Sequence, residues 1–132
     1  MILMFARQAR LRGYRVKLLP EVAGVPNGFV PDVYVVDKKH RRAYVEVERG
    51  HAKQEKWRSL SALQGFVALT TLTARHRQTL VEEVQELRLP GRATDLQTLL
   101  RAAQDGRLNW LFPQRWDAQG KNVERGQPPE GR

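Results

Sequence analysis

The stretch from Val30 to Gly50, VPDVYVVDKKHRRAYVEVERG, constrains the fold more than any other part of the chain. Two valine-rich segments flank a short polar turn, Lys38 to Arg42, which is the pattern of a β-hairpin. A turn centred on Lys39 sets Asp32 opposite Glu46, Val33 opposite Val45 and Tyr34 opposite Tyr44. Side chains on a strand alternate between faces. One face therefore carries Val33, Val35, Ala43, Val45 and Val47, a core surface, and the other carries Asp32, Tyr34, Tyr44, Glu46 and Glu48.

That second face gathers three carboxylates. Directly opposed side chains have Cβ atoms about 4.5–5.5 Å apart and diagonal neighbours about 7–8 Å, so Asp32, Glu46 and Glu48 fall within reach of one ion. Like charges in opposition destabilise a sheet, and a hard divalent cation with oxygen ligands would offset the repulsion. Such an ion activates water and stabilises charge on a phosphoryl group. The competing reading is a half-exposed hairpin whose acids are solvated or neutralised by a nearby Arg or Lys.

The rest of the chain arranges itself around this hairpin. The spacing predicts a helix over Met1 to Arg12 stopped by Gly13, then a strand over Tyr14 to Leu19 and a loop over Glu21 to Asn27. Phe29 to Asp37 and Ala43 to Glu48 form the hairpin strands. A helix over His51 to Leu63 is broken by Gly65, and an apolar strand follows over Phe66 to Thr73. A helix over Arg75 to Leu89 ends at Pro90 and Gly91, and Thr94 or Asp95 caps a short helix through Ala103. Leu108 to Phe112 reads as a last strand. From Asp117 to Arg132 glycine, proline and charge dominate, as in a disordered tail. The fold class expected is α/β, one domain over residues 1–116 with a mixed sheet flanked by helices.

Charge supplies the partner class. Lys and Arg number 23 against 14 acids, a formal net charge of +9. That balance favours a polyanion, with solubility as the plainer alternative. There is no cysteine, which excludes disulfides and thiolate chemistry, and His40, His51 and His76 lack zinc-site spacing. No apolar run has the length of a signal-peptide core or a membrane span, so a cytoplasmic protein with no membrane partner is expected. Lys38, Lys39, Arg41 and Arg42 at the hairpin tip, and Arg49 and Arg58 beside the carboxylate face, are the candidate phosphate contacts. A solvated turn is the alternative for the tip. Arg7, Arg10, Arg12 and Arg15 would extend a basic surface.

Pro31-Asp32, a hairpin, then Glu46-Val47-Glu48 resembles the PD-(D/E)XK nucleases, which have the restriction-endonuclease-like fold. The likeness covers roughly residues 1 to 73. The chain looks closer still to replication-relaxation proteins of plasmids and mobile elements. There a Pro-Asp strand is followed by a strand ending like VEVERG, a basic and aromatic helix, and an apolar strand; Leu108 to Trp116 is similar to that family's C-terminal end. Those relatives often carry an upstream winged-helix region, for which this chain has no room.

The resemblance implies a Mg²⁺- or Mn²⁺-dependent DNA endonuclease or nicking-type domain in plasmid, phage or mobile-element replication or recombination, with metal at Asp32 and Glu46. Many such domains are homodimers. The departure is Glu48, which stands where the family has a lysine that positions the attacking water. Lys53 or Lys56 on the next helix could supply that ammonium, and Glu21 could add a ligand. Two other readings remain: an inert DNA-binding module on the same fold, and a protein-interaction domain whose charge confers solubility.

Overall fold

A computed structural model describes residues 1–18, 31–50 and 54–123. Glu21, His51 and Lys53, the expected loop at 21–27 and the tail from residue 124 lie outside the described residues. The elements are α1 (Ile2–Leu11), β1 (Arg15–Leu18), β2 (Val33–Val36), β3 (Arg42–Val47), α2 (Gln54–Gln64), β4 (Val67–Thr71), α3 (Ala74–Glu86), β5 (Gly91–Asp95), α4 (Leu96–Gln104) and β6 (Gln114–Trp116). They form an α/β fold with a six-stranded mixed sheet in sequential order.

β1, β2 and β3 make an antiparallel meander, β3, β4 and β5 run parallel, and β6 returns antiparallel beside β5. Helices cover both faces. Phe5 and Ala9 of α1 and Leu96 and Leu99 of α4 pack on Val33, Val35, Ala43, Val45 and Ala68. On the other face Trp57 and Leu60 of α2 and Leu80, Val81 and Val84 of α3 pack on Val67, Leu69, Ala93 and Trp116. Successive crossovers through α2 and α3 advance across the sheet in one direction and so lie on one face. Among the described residues no helix is long and apolar enough to cross a membrane.

The hairpin has the expected register: Val33 pairs with Val45, Tyr34 with Tyr44 and Val35 with Ala43. Alternation therefore places the valines on the α1/α4 side, where Val33, Val35 and Val45 are fully buried. The parallel side of β3 pairs with β4 only at Glu46 with Leu69 and Val47 with Thr70. Before Glu46 the two strands part, and Gln64 fills the gap. Its amide accepts from the Tyr44 N–H at 2.8 Å and donates to the Tyr44 carbonyl at 2.9 Å, so the strand's backbone stays satisfied.

β5 was not expected, and the last strand lies later than expected. Gly91-Arg92-Ala93-Thr94-Asp95 has no apolar run to mark a strand, because its side chains must be small where Trp116 crosses it. A Cβ on Gly91 would meet Trp116 Cζ2 at 2.4 Å. The indole cannot retreat easily, since its N–H donates to the Leu89 carbonyl at 2.9 Å. Gly91→Ala should therefore destabilise the fold by about 1–3 kcal/mol, read as a lower urea midpoint at unchanged slope. Leu111 and Phe112 are both buried in the same core cluster, which successive residues of a strand could not be. The last strand is accordingly Gln114–Trp116 and not 108–112.

Two further expectations change. Residues 117–123, expected to begin the disordered tail, form a turn: the Asp117 carboxylate accepts from the Gln119 and Lys121 N–H groups, and the Val123 N–H donates to the Arg115 carbonyl. Arg12, expected on a basic surface, is buried at 5% exposure. The chain turns at Gly13 (φ 87°), and that turn directs the Arg12 side chain inward against α4 and the 109 segment.

Candidate metal and phosphate site

Asp32 precedes β2, Glu46 lies in β3 and Glu48 follows it, so the hairpin register brings the first two together. The face they occupy is not a wet one. α2 lies over it, and Glu46 is buried at 2% exposure. The Asp32 Oδ2 atom accepts from the Val47 N–H at 2.8 Å, which fixes that carboxylate against β3. From α2, Lys56 Nζ reaches Glu46 Oε2 at 3.1 Å and Glu48 Oε2 at 3.2 Å.

The electrostatics follow from this crowding. Burial, and next the charge of Asp32, push the Glu46 carboxyl up to about 8, against the lowering pull of Lys56. Burial opposes the Lys56 ammonium, yet the charges and hydrogen bonds of Glu46 and Glu48 more than offset it, and its pKa stands above the ordinary value. At neutral pH the Glu46 carboxyl thus tends to keep its proton. A divalent cation would take the place of that proton, and two carboxylates with oxygen donors fit Mg²⁺ or Mn²⁺. Among the described residues no three acidic or histidine side chains close into one ligand set. Glu48 instead shares Lys56 with Glu46.

Of the expected ammonium donors, Lys56 stands at the carboxylates, while Lys53 lies outside the described residues, as does the expected ligand Glu21. Arg49 and Arg58 are exposed. At the hairpin tip Lys38, Lys39 and Arg42 are exposed, but Arg41 has a structural task. Its Nε lies 2.7 Å from Asp37 Oδ2. Asp37 is partly buried, yet hydrogen bonds from Arg41 and Lys39 and the Arg41 charge hold its carboxyl below the ordinary range. The tip is therefore pre-shaped by an internal ion pair.

Sequence reasoning missed Gln64, His76 and Lys17. His76 in α3 has its Nε2 3.0 Å from the Gly50 carbonyl, joining α3 to the chain just past Glu48. No sequence signal ties α3 to this segment. Lys17 could have been found: in β1 it alternates with Val16 and Leu18, so it shares the face of Tyr34, with which it pairs.

Compared with known proteins, the chain matches no family model, no curated protein and no solved structure.

Proposed function

We propose that this domain is a divalent-metal-dependent DNA phosphodiesterase of endonuclease or nicking type, on a restriction-endonuclease-like core. The observation that carries the reading is the Asp32–Glu46 pair beneath α2, with the Lys56 ammonium held between Glu46 and Glu48. The Pro-Asp and Glu-Val-Glu resemblance and the net charge of +9 support it and point to DNA replication or recombination in the cytoplasm.

Asp32 and Glu46 would hold Mg²⁺ or Mn²⁺, which when bound supplies Lewis-acid stabilisation of the phosphoryl group and a more acidic water. Asp32 is oriented for this by the Val47 N–H. Lys56 does the work of the family lysine from a different element. It is positively charged, anchored by two carboxylates, and set to orient a water and offset charge at the scissile phosphate. Glu48 acts through Lys56 and positions it.

Asp32→Asn is expected to abolish Mg²⁺- or Mn²⁺-dependent nicking of supercoiled DNA, and Lys56→Met to reduce it by about 10²-fold or more, a typical contribution for a group managing a proton or charge. Cleavage that survives Asp32→Asn intact would overturn the reading. One observation favours a second reading, an inert DNA-binding module: the Lys56 ammonium already engages an oxygen of both Glu46 and Glu48. Salt-sensitive DNA binding without cleavage in either metal would select it.

A further inference from the structure

The helices do not cover the α2/α3 side of the sheet evenly. α2 and α3 pack over β3, β4 and β5, whereas α1 reaches β1 and β2 from the opposite side. Over β1, β2 and the start of β3 no element of the described residues covers this face of the sheet. Register arranges its side chains in rows across the strands. The outer row is Arg15, Val36 and Arg42; the next is Lys17, Tyr34 and Tyr44. One further step along the same face stand Asp32 and Glu46.

Three properties of this face point to a ligand. Arg15, Lys17 and Arg42 are exposed, and among the described residues none has an acidic partner. Tyr34 and Tyr44 pack with ring centroids 4.7 Å apart and planes tilted by 33°, and Tyr44 is seated on the cluster under α2, so Tyr34 is a braced ring at the border of this face. A groove of about 310 Å³ lies along Arg15, Lys17, Tyr34, Val36 and Arg42. Edge strands often carry lysine simply to resist pairing with other chains. That explains Lys17 on β1, but not Arg42 on β3 or an aromatic pair between the cations.

We propose that this open sheet face is a binding track for single-stranded nucleic acid, which seats one unstacked base on Tyr34, holds the backbone with Arg15, Lys17 and Arg42, and leads the strand to Asp32 and Glu46. A bare sheet with aromatic rings and flanking cations suits splayed bases, because each base offers a flat face and stacking tolerates any sequence. A duplex keeps its bases stacked inside and would leave Tyr34 idle. The track rests on the carboxylate site as the place the strand is delivered, and it names the substrate class of that site.

The test separates the two claims by working without metal. Anisotropy of a fluorescein-labelled oligothymidylate, titrated with the full chain in EDTA, reads binding alone. Binding to the single strand should exceed binding to a duplex of equal length. Tyr34→Leu should weaken it about 10-fold, the usual size of one lost base–aromatic stack. The exposed triple change Arg15→Gln, Lys17→Gln, Arg42→Gln should lower the dependence of log affinity on log salt by about 2, at roughly 0.7 per phosphate contact on a single strand. These results would support the track even if the chain never cleaves DNA. Equal affinity for duplex, or unchanged binding in both Tyr34→Leu and the triple variant, would overturn it even if the chain is an active nuclease.

Discussion

In metal-free buffer, Glu46→Gln is expected to unfold at a higher temperature than the parent chain at pH 9 and at nearly the same temperature at pH 4. Glu46 has a folded-state pKa of about 8, against an ordinary value of 4.5. Below 4.5 folded and unfolded chains both carry the proton, and the residue has no pH-dependent effect. Between 4.5 and 8 the unfolded chain releases a proton that the folded chain retains, so stability falls as pH rises. Above 8 the whole cost is present. At about 1.4 kcal/mol per pKa unit it amounts to roughly 3–5 kcal/mol, or about 10–20 °C in the midpoint for a domain of this size. Glutamine removes the charge, keeps the shape, and still accepts from Lys56. Under the proposed function the same change should lower metal-dependent cleavage by about 10³-fold, since several kcal/mol of transition-state stabilisation would depend on the ion. Mn²⁺ added at pH 8 should raise the midpoint of the parent and leave that of the variant unmoved. A variant less stable than the parent at pH 9 would contradict the argument.

Arg12→Leu is expected to cost about 3–5 kcal/mol, measured by urea denaturation. Among the described residues the guanidinium has no carboxylate partner. Its Nε donates to the Asn109 carbonyl at 2.9 Å, Nη1 to the Gln8 carbonyl and Oε1 at 2.9 Å each, and Nη2 to Asn109 Oδ1 at 2.7 Å and to the Leu99 carbonyl at 3.3 Å. Burial lowers its pKa to about 10, which leaves it charged. One planar fork thus satisfies acceptors from α1, α4 and the segment before β6. Leucine fills the volume but strands those acceptors, at about 1–3 kcal/mol each before relaxation. Arg12→Lys should recover at most half of the loss, because an ammonium has three donors and no planar fork. Full recovery by lysine would mean that charge, and not the fork, is what the site needs.

What could be read from the residues depends on whether periodicity encodes it. The hairpin register and both of its faces follow from alternation over Val33 to Val36 and Arg42 to Val47, because only one pairing buries the valines. Periodicity places Asp32 opposite Glu46 but says nothing of which helix lands on them. The burial of Glu46 under α2, and hence its raised pKa, is therefore a tertiary fact. Lys56 was one of two lysines that fitted the sequence; the phase of α2, with Trp57 and Leu60 facing the core, brings it to the carboxylates. β5 was hidden for the opposite reason, since Trp116 leaves no room for a side chain at Gly91, where the strand begins. Arg12 sits in a sequence run of arginines whose other members give no hint that one of them is internal.

The parting of β3 from β4, bridged by Gln64, divides the hydrogen bonding of the sheet into two slabs riveted along a short seam, although one apolar core runs beneath both. Asp32 stands on the meander slab, Lys56 on a helix packed to the other, and Glu46 is one of the rivets. Whatever engages all three grips both slabs at once. The chemistry proposed for this face and the cohesion of the sheet would therefore be coupled: a ligand held by all three would clasp the seam.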